Sequence, residues 1–281
     1  MTPSLARSLL PTLALLAGCT ATPFSLDDCG RTCGDGPFFL IDQLAFVLED
    51  DSGLGGFDLD GLTEDCGAED GTNADGAGGI DNQLGAIWDV LPDSAVAVIP
   101  VAIDTSLESG AMMVVLELVP GADDEPTELV FREGTGRPLT GTGARPLPNQ
   151  TIDLIEGSNL LGSAGSLDRT TDGFRADDLD VVLKLEYIDT QVELQVVGGQ
   201  AELADDGDGG LDLLMGGLVP MPAVMDVVGG LGGDGDDGVR DILEALLPLV
   251  VDSRIDPDGE CDGLSGAFRG HAVPVFLFDE E

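Results

Sequence analysis

One stretch constrains this chain more than any other: "DVVLKLEYIDTQVELQVV", from Asp180 to Val197. Leu183, Leu185 and Tyr187 alternate with Lys184 and Glu186, and Val192, Leu194 and Val196 alternate with Glu193 and Gln195. A period of two places one apolar and one wet face on each run, and the intervening "IDTQ" makes the pair a hairpin. Other runs fit beside it. "FFLIDQLAFVLED" reads as a strand from its phenylalanines, Ile41 and Val47. "AVAVIPVAID" and "AMMVVLELV" read as strands, with "TELVFRE" and "TIDLIEG" as shorter ones. "GQAELA" and "LDLLMGG" form a second hairpin around "DDGDGG", and "SGAFRGHAVPVFLF" returns as a closing strand.

Helical patterns are few. In "DNQLGAIWDVLP", Leu84, Ile87, Trp88 and Leu91 share one face, with Asp81 as N-cap and Pro92 as the stop. "PMPAVMDVV" carries prolines suited to a first turn, and "DDGVRDILEALLPLVVD" sets Val239, Ile242, Leu243, Leu246, Leu247 and Val250 on one stripe. Many short strands with few helices predict a mainly β fold: an antiparallel β-sandwich with a small helical annex and Asp/Gly-rich loops.

The N-terminus reads as an export signal. Arg7 precedes the short apolar run "SLLPTLALLAG", too short to span a bilayer. The run ends in "LAGC", Leu16 to Cys19, which resembles the lipobox of bacterial lipoproteins. That resemblance implies cleavage before Cys19, acylation of that cysteine and attachment to a membrane through its lipid. Several chains on one cysteine anchor stably where one is marginal. The expected organisation is a signal peptide over 1–18, a tether over 19–36 and one β-rich globular domain over 37–281.

Composition sets limits on partners. The chain has 54 acidic residues against 11 Lys and Arg, a formal charge of −43, and one histidine, His271. Such a surface excludes nucleic acid as a partner and needs counterions, from salt or from bound divalent cations. Hydrophobic content of 43% separates it from disordered acidic tails.

Setting Cys19 aside, Cys29, Cys33, Cys66 and Cys261 remain, and four cysteines allow three pairings. Cys29 and Cys33 in "CGRTC" can close a small loop, which leaves Cys66 to tie to Cys261. A metal-thiolate site at "CGRTC" is the alternative, but export and the lack of nearby histidines argue against zinc.

The pattern D/N-x-D-G occurs at Asp58-Asp60-Gly61, Asn73-Asp75-Gly76, Asp206-Asp208-Gly209 and Asp256-Asp258-Gly259. Composition alone gives about one. Alternate carboxylates in such a loop converge, as calcium requires. None is a full EF-hand: with Gly76 in the turn, position 1 is Gly71 and position 12 is Asn82, and near Gly259 position 1 is Arg254. The alternative is that each loop is a self-capped Asx-turn. If Cys66 bonds Cys261, then Asp58, Asp60, Asp75 and Asp81 can meet Asp256, Asp258 and Asp262 at one calcium site.

The series "FDLDG", "GIDNQLGAI" and "DPDGECDGLS" resembles the acidic exported lipoproteins of myxobacteria and their relatives. The resemblance implies an outer-membrane lipoprotein, on the periplasmic face or the cell surface, and implies no reaction.

Catalytic signals are weak. "GLSGA" is a distant relative of the nucleophile elbow, with Ser265 six residues before His271. Carboxylate pairs of the glycosidase kind carry no information among 54 acids. No P-loop or dinucleotide-binding glycine pattern is present. The reading is therefore a calcium-stabilised surface-binding or structural module, with a calcium-dependent hydrolase as the alternative.

Overall fold

In a computed structural model, the structure describes residues 37–278 except 49–53, 63, 67, 73–75, 77, 87, 89–92, 122–125, 142, 156–159, 188–189, 232–249 and 257. The expected signal peptide and tether (1–36), with Cys19, Cys29 and Cys33, as well as Asp75 and most of the amphipathic stripe at 236–252, lie outside the described residues. The strands are β1 (Phe38–Phe46), β2 (Glu64–Asp65), β3 (Ala68–Glu69), β4 (Gly71–Thr72), β5 (Gly78–Ile80), β6 (Val114–Pro120), β7 (Pro126–Thr135), β8 (Thr151–Leu154), β9 (Leu160–Ala164), β10 (Ser166–Arg169), β11 (Gly173–Tyr187), β12 (Thr190–Asp205), β13 (Leu211–Pro220) and β14 (Gly263–Leu277). The helices are α1 (Gln83–Ala86), α2 (Asp93–Ser109) and α3 (Met221–Leu231).

The alternating hairpin is β11–β12, and it extends well beyond the stretch that reveals it. From it the sheet runs through β13 and β14 to β1, and in the other direction through β9 and β7 to β6, which also pairs with β1. Every step of that circuit is antiparallel, so eight strands close into a barrel rather than packing as the two open sheets of a sandwich. Closure depends on β14 pairing with β1 along most of its length, Phe46 opposite Phe268 and Phe38 opposite Val275. No local pattern discloses that register.

The barrel interior is apolar. Phe39, Leu116, Phe131, Leu183, Leu213 and Phe268 meet in one cluster, while Asp180, Glu186, Glu193 and Glu202 face out. A membrane-spanning barrel has the opposite arrangement, with an apolar outer band and a polar lumen. Three bulges keep the core face inward. On β11 the buried parity changes from Phe174 and Ala176 to Leu179 and Val181 across Asp178, whose φ is 55°. On β12 it changes across Gly198, and on β1 across Asp42. One extra residue in a strand re-aims its side chain, and Asp42 acquires a role from this.

One expected strand is a helix. "AVAVIPVAID" lies within α2, even though Pro100 has no N–H for the carbonyl four residues earlier. Ile99, Ala102, Ile103, Ser106 and Leu107 are buried along one stripe, at helical rather than strand spacing. Helix α2 touches β1 and β11, which stand opposite each other in the ring, so it lies across the barrel. The Ser106 hydroxyl fixes it there, accepting from Glu186 N–H at 2.8 Å, with its own proton shared between Ala102 O at 2.6 Å and Glu186 O at 3.0 Å. Among the described residues no helix is long and apolar enough to cross a membrane.

Candidate metal centre

The segment from Leu54 to Ala86 is thin in secondary structure and is fastened to the barrel by specific bonds. Cys66 and Cys261 form a disulfide, as the preferred pairing expects, across 195 residues of sequence. The Asn82 side chain is a second fastener. Its Nδ2 donates to Val47 O at 2.9 Å and Gly55 O at 2.8 Å, and its Oδ1 accepts from Gly85 N–H and Ala267 N–H. All four hydrogen-bonding positions of a buried amide are thus satisfied. Asn82, not Asp81, caps the short helix α1.

Asp81 is freed for another role. It pairs with Phe57 in an isolated antiparallel bridge, its N–H donating to Phe57 O at 2.8 Å. The bridge brings its carboxylate beside the "FDLDG" turn, where Leu59 N–H donates to Asp81 Oδ2 at 2.5 Å. In that turn Gly61 N–H donates to Asp58 Oδ1 at 2.6 Å and Leu62 N–H to Asp60 Oδ1 at 2.7 Å. Gly61 has φ of 74°, the left-handed region that glycine adopts without strain. Each carboxylate has one oxygen oriented by backbone. Asp58, Asp60 and Asp81 each offer a ligand atom within 4.8 Å of the others, so the group can hold a metal ion. Two oxygens bound to one calcium at about 2.3–2.6 Å stand no further apart than about 5 Å.

The electrostatics around Asp81 favour a cation. Burial pushes its carboxyl up to about 7; the Leu59 hydrogen bond opposes this, and the charges of Asp60, Asp70 and Asp252 reinforce it. Asp252 is raised to about 6, first by burial, with the Ser265 hydrogen bonds pulling the other way. Ser265 N–H donates to Asp252 Oδ1 at 2.8 Å, its hydroxyl donates to Asp252 Oδ2, and Gln83 N–H donates to Ser265 Oγ. The charges shown acting on Asp81, those of Asp60, Asp70 and Asp252, are all acidic.

The expected convergence is therefore partial and has a different membership. Asp58, Asp60 and Asp81 meet. Asp256, Asp258 and Asp262 are not part of that group; they belong to a separate turn, in which Asp258 N–H donates to Asp256 Oδ1 and Ile255 N–H to Asp262 Oδ1. Asp70 and Asp252, which no motif singles out, add their negative charge at Asp81. A spacing rule cannot find them, since both reach Asp81 only through the tertiary fold.

The loop at Asp206 takes another course. Its Oδ1 accepts from Asp208 N–H at 2.7 Å and Gly210 N–H at 2.8 Å, and its Oδ2 lies 2.9 Å from His271 Nε2. The other ring nitrogen, Nδ1, lies 2.6 Å from Asp42 Oδ1, the side chain aimed by the β1 bulge. Ionised carboxylates only accept, so the arrangement with an N–H facing each of them is the imidazolium, the form of His271 that these two partners favour. Burial alone would lower its pKa, but the hydrogen bonds and charges of Asp206 and Asp42 outweigh this and raise it above 6.5. Asp206 moves down from 3.8: burial opposes, and the His271, Asp208 and Gly210 hydrogen bonds prevail. A side chain at Gly210 would collide with this pair, meeting Asp206 Oδ2 at 2.6 Å and His271 Nε2 at 2.9 Å.

His271 is accordingly committed to two carboxylates, and Ser265 is fully buried against Asp252. Six residues of strand separate the two by roughly 20 Å. They do not form a nucleophile and base. A cleft of about 890 Å³, bordered by Asp42, Asp104, Glu108, Asp172, Arg269 and His271, does not include Asp58, Asp60 or Asp81. No protein-family profile, curated protein or solved structure matches the chain.

Proposed function

We propose that this protein is an exported lipoprotein of the cell envelope, held to the outer membrane through Cys19, and that its Asp58–Asp60–Asp81 centre takes calcium. The module acts by binding or by structure, not by turning over a substrate. The observation that carries the calcium reading is the approach of three carboxylates from two separate segments to within 4.8 Å, one of them buried. Calcium there would neutralise the Asp81 charge and fasten the segment around residues 54–82 to the barrel. Carboxylate oxygens suit calcium better than softer metals, with backbone carbonyls or water completing the shell.

Thermal unfolding tests this. Calcium at a hundred times its Kd adds about 2.7 kcal/mol, which in a domain of this size raises Tm by about 5–10 °C. A melt identical in calcium and in chelator would overturn the reading. The anchor is tested separately by incorporation of labelled fatty acid in the exporting cell, expected for the native chain and lost in Cys19→Ser.

A further inference from the structure

Charge pairing on the barrel wall has an exception. Arg132, Arg175, Lys184 and His271 each hold at least one carboxylate. The guanidiniums of Arg137, Arg145 and Arg269 have no hydrogen-bond or ion-pair partner among the described residues. With 54 acidic residues against 11 Lys and Arg, these arginines are not left alone for want of acids. Arg145 and Arg269 both border the cleft of about 890 Å³, a volume suited to a small ligand.

The register shows why Arg269 is unpaired. Leu213, Gly270 and Leu44 occupy the core face, so Leu214, Arg269 and Ala45 stand together on the outer face. Arg269 lies opposite Leu214 on one side and Ala45 on the other, and neither cross-strand position offers it an acid. Arg145 comes from a different element, the tight turn in which Gly141 N–H donates to Arg145 O at 2.9 Å and Thr140 bridges to Pro146. Negative charge borders the same cleft. Asp104 and Glu108 stand one turn apart on α2, both exposed, and neither carboxylate has a hydrogen-bond or ion-pair partner among the described residues. Asp42, by contrast, is committed to His271. The cleft thus has charges of both signs that do not reach one another, with apolar Leu214 and Ala45 beside one of them.

We propose that this cleft binds a small zwitterion, a free amino acid or a short peptide, with its carboxylate on Arg145 and Arg269 and its ammonium towards Asp104 and Glu108. The parallel N–H groups of a guanidinium match a carboxylate, and such charge-assisted bonds are the strong ones. The field of the whole protein selects the rest of the ligand. A net charge of −43 repels a plain anion, so a carboxylate enters readily only when it brings its own positive charge. The site is separate from the Asp58–Asp60–Asp81 centre and requires neither calcium nor the lipid anchor.

Calorimetric titration of the full chain tests this. The probes are leucine and trileucine, whose side chains suit Leu214 and Ala45, each also as its C-terminal amide and its N-acetyl form. Amidation removes the carboxylate and makes the ligand more positive, so attraction to an acidic surface alone would tighten binding. The proposal requires the reverse: the free acid binds about tenfold more tightly than the amide, and the N-acetyl form is weaker as well. In Arg145→Gln/Arg269→Gln the preference for the acid disappears, while the urea midpoint, which reports the fold, stays where it was. A preference shown by leucine identifies a free amino acid as the ligand, and one shown by trileucine alone identifies a peptide; either supports the proposal. An amide that binds as tightly as the acid, an N-acetyl form that binds as tightly as the zwitterion, or a preference that survives in the double variant overturns it. So does the absence of saturable binding by every probe at millimolar concentration.

Discussion

Two turns with the same D-x-D-G spelling reach opposite electrostatic solutions. At Asp58-Leu59-Asp60-Gly61 the tertiary partner that arrives is another acid, Asp81, and the site gathers negative charge. At Asp206-Gly207-Asp208-Gly209 the partner is His271, and the fold supplies the cation itself. The local hydrogen bonds are alike, with a carboxylate oxygen accepting backbone N–H groups of the turn. The motif therefore specifies a turn, and its neighbour decides whether that turn is left wanting an ion.

The comparison can be broken from either side. Removing the internal cation should have the largest effect: His271→Ala leaves Asp42 buried without its partner, which costs about 3 kcal/mol. Urea unfolding should register this, and Asp42→Asn in the same chain should recover most of it. Next is Asp81→Asn. It should abolish the calcium-induced rise in Tm of about 5–10 °C while leaving stability in chelator unchanged or higher, because a repelled buried charge is removed. A retained calcium response in this variant would place the ion elsewhere.

The effect of pH is smaller and has a definite sign. His271 has its folded pKa above 6.5, so its contribution is complete below 6.5 and is lost as pH rises through the folded value. Asp206 has its folded pKa below 3.8, so its contribution is complete above 3.8 and is lost as pH falls through that lower value. The stability difference between the native chain and Asp206→Asn should therefore be greatest between those limits, about 1 kcal/mol, and should shrink at alkaline pH. A difference that stays constant as the histidine loses its proton would show that Asp206 is held by its turn alone. The smallest effect belongs to Asp208→Ala, within about 0.5 kcal/mol, since its backbone N–H, which alanine keeps, makes the turn bond. The same substitution at Asp60 should weaken calcium binding.

Much of the wall was legible. Alternation marks β11 and β12, turn residues separate β12 from β13, and β1, β6, β7, β8 and β14 all fall on recognised apolar runs. The error at α2 has a physical source. "AVAVIP" mimics a two-residue period, and the four-residue spacing of Ile99, Ile103 and Leu107 runs across Pro100, a residue that argues against helix. Barrel closure was not legible because the register of β1 against β14 is a long-range property. At the candidate site, Asp58, Asp60 and Asp81 could be named from spacing. Asn82 is passed over, the cap being read at Asp81 one residue earlier, and Asp42 gains its contact through a bulge that local sequence does not encode. Asp70 and Asp252 approach Asp81 only once the chain is folded.

The pairing of β1 with β14 also sets an order of events. A chain synthesised N-terminus first, and exported as proposed, would expose β1 long before β14 exists beside it to cover it, apart from the three residues that β6 engages. Most of the edge of β1 stays open until the last strand emerges, and the Cys66–Cys261 bond cannot form earlier either. Contacts between the two extremes of a chain form slowly, and an open edge invites wrong partners. On the proposed export, the barrel would thus pass through an interval in which it is unfinished and must be kept from pairing with its neighbours, and the interval would end with the final residues of β14.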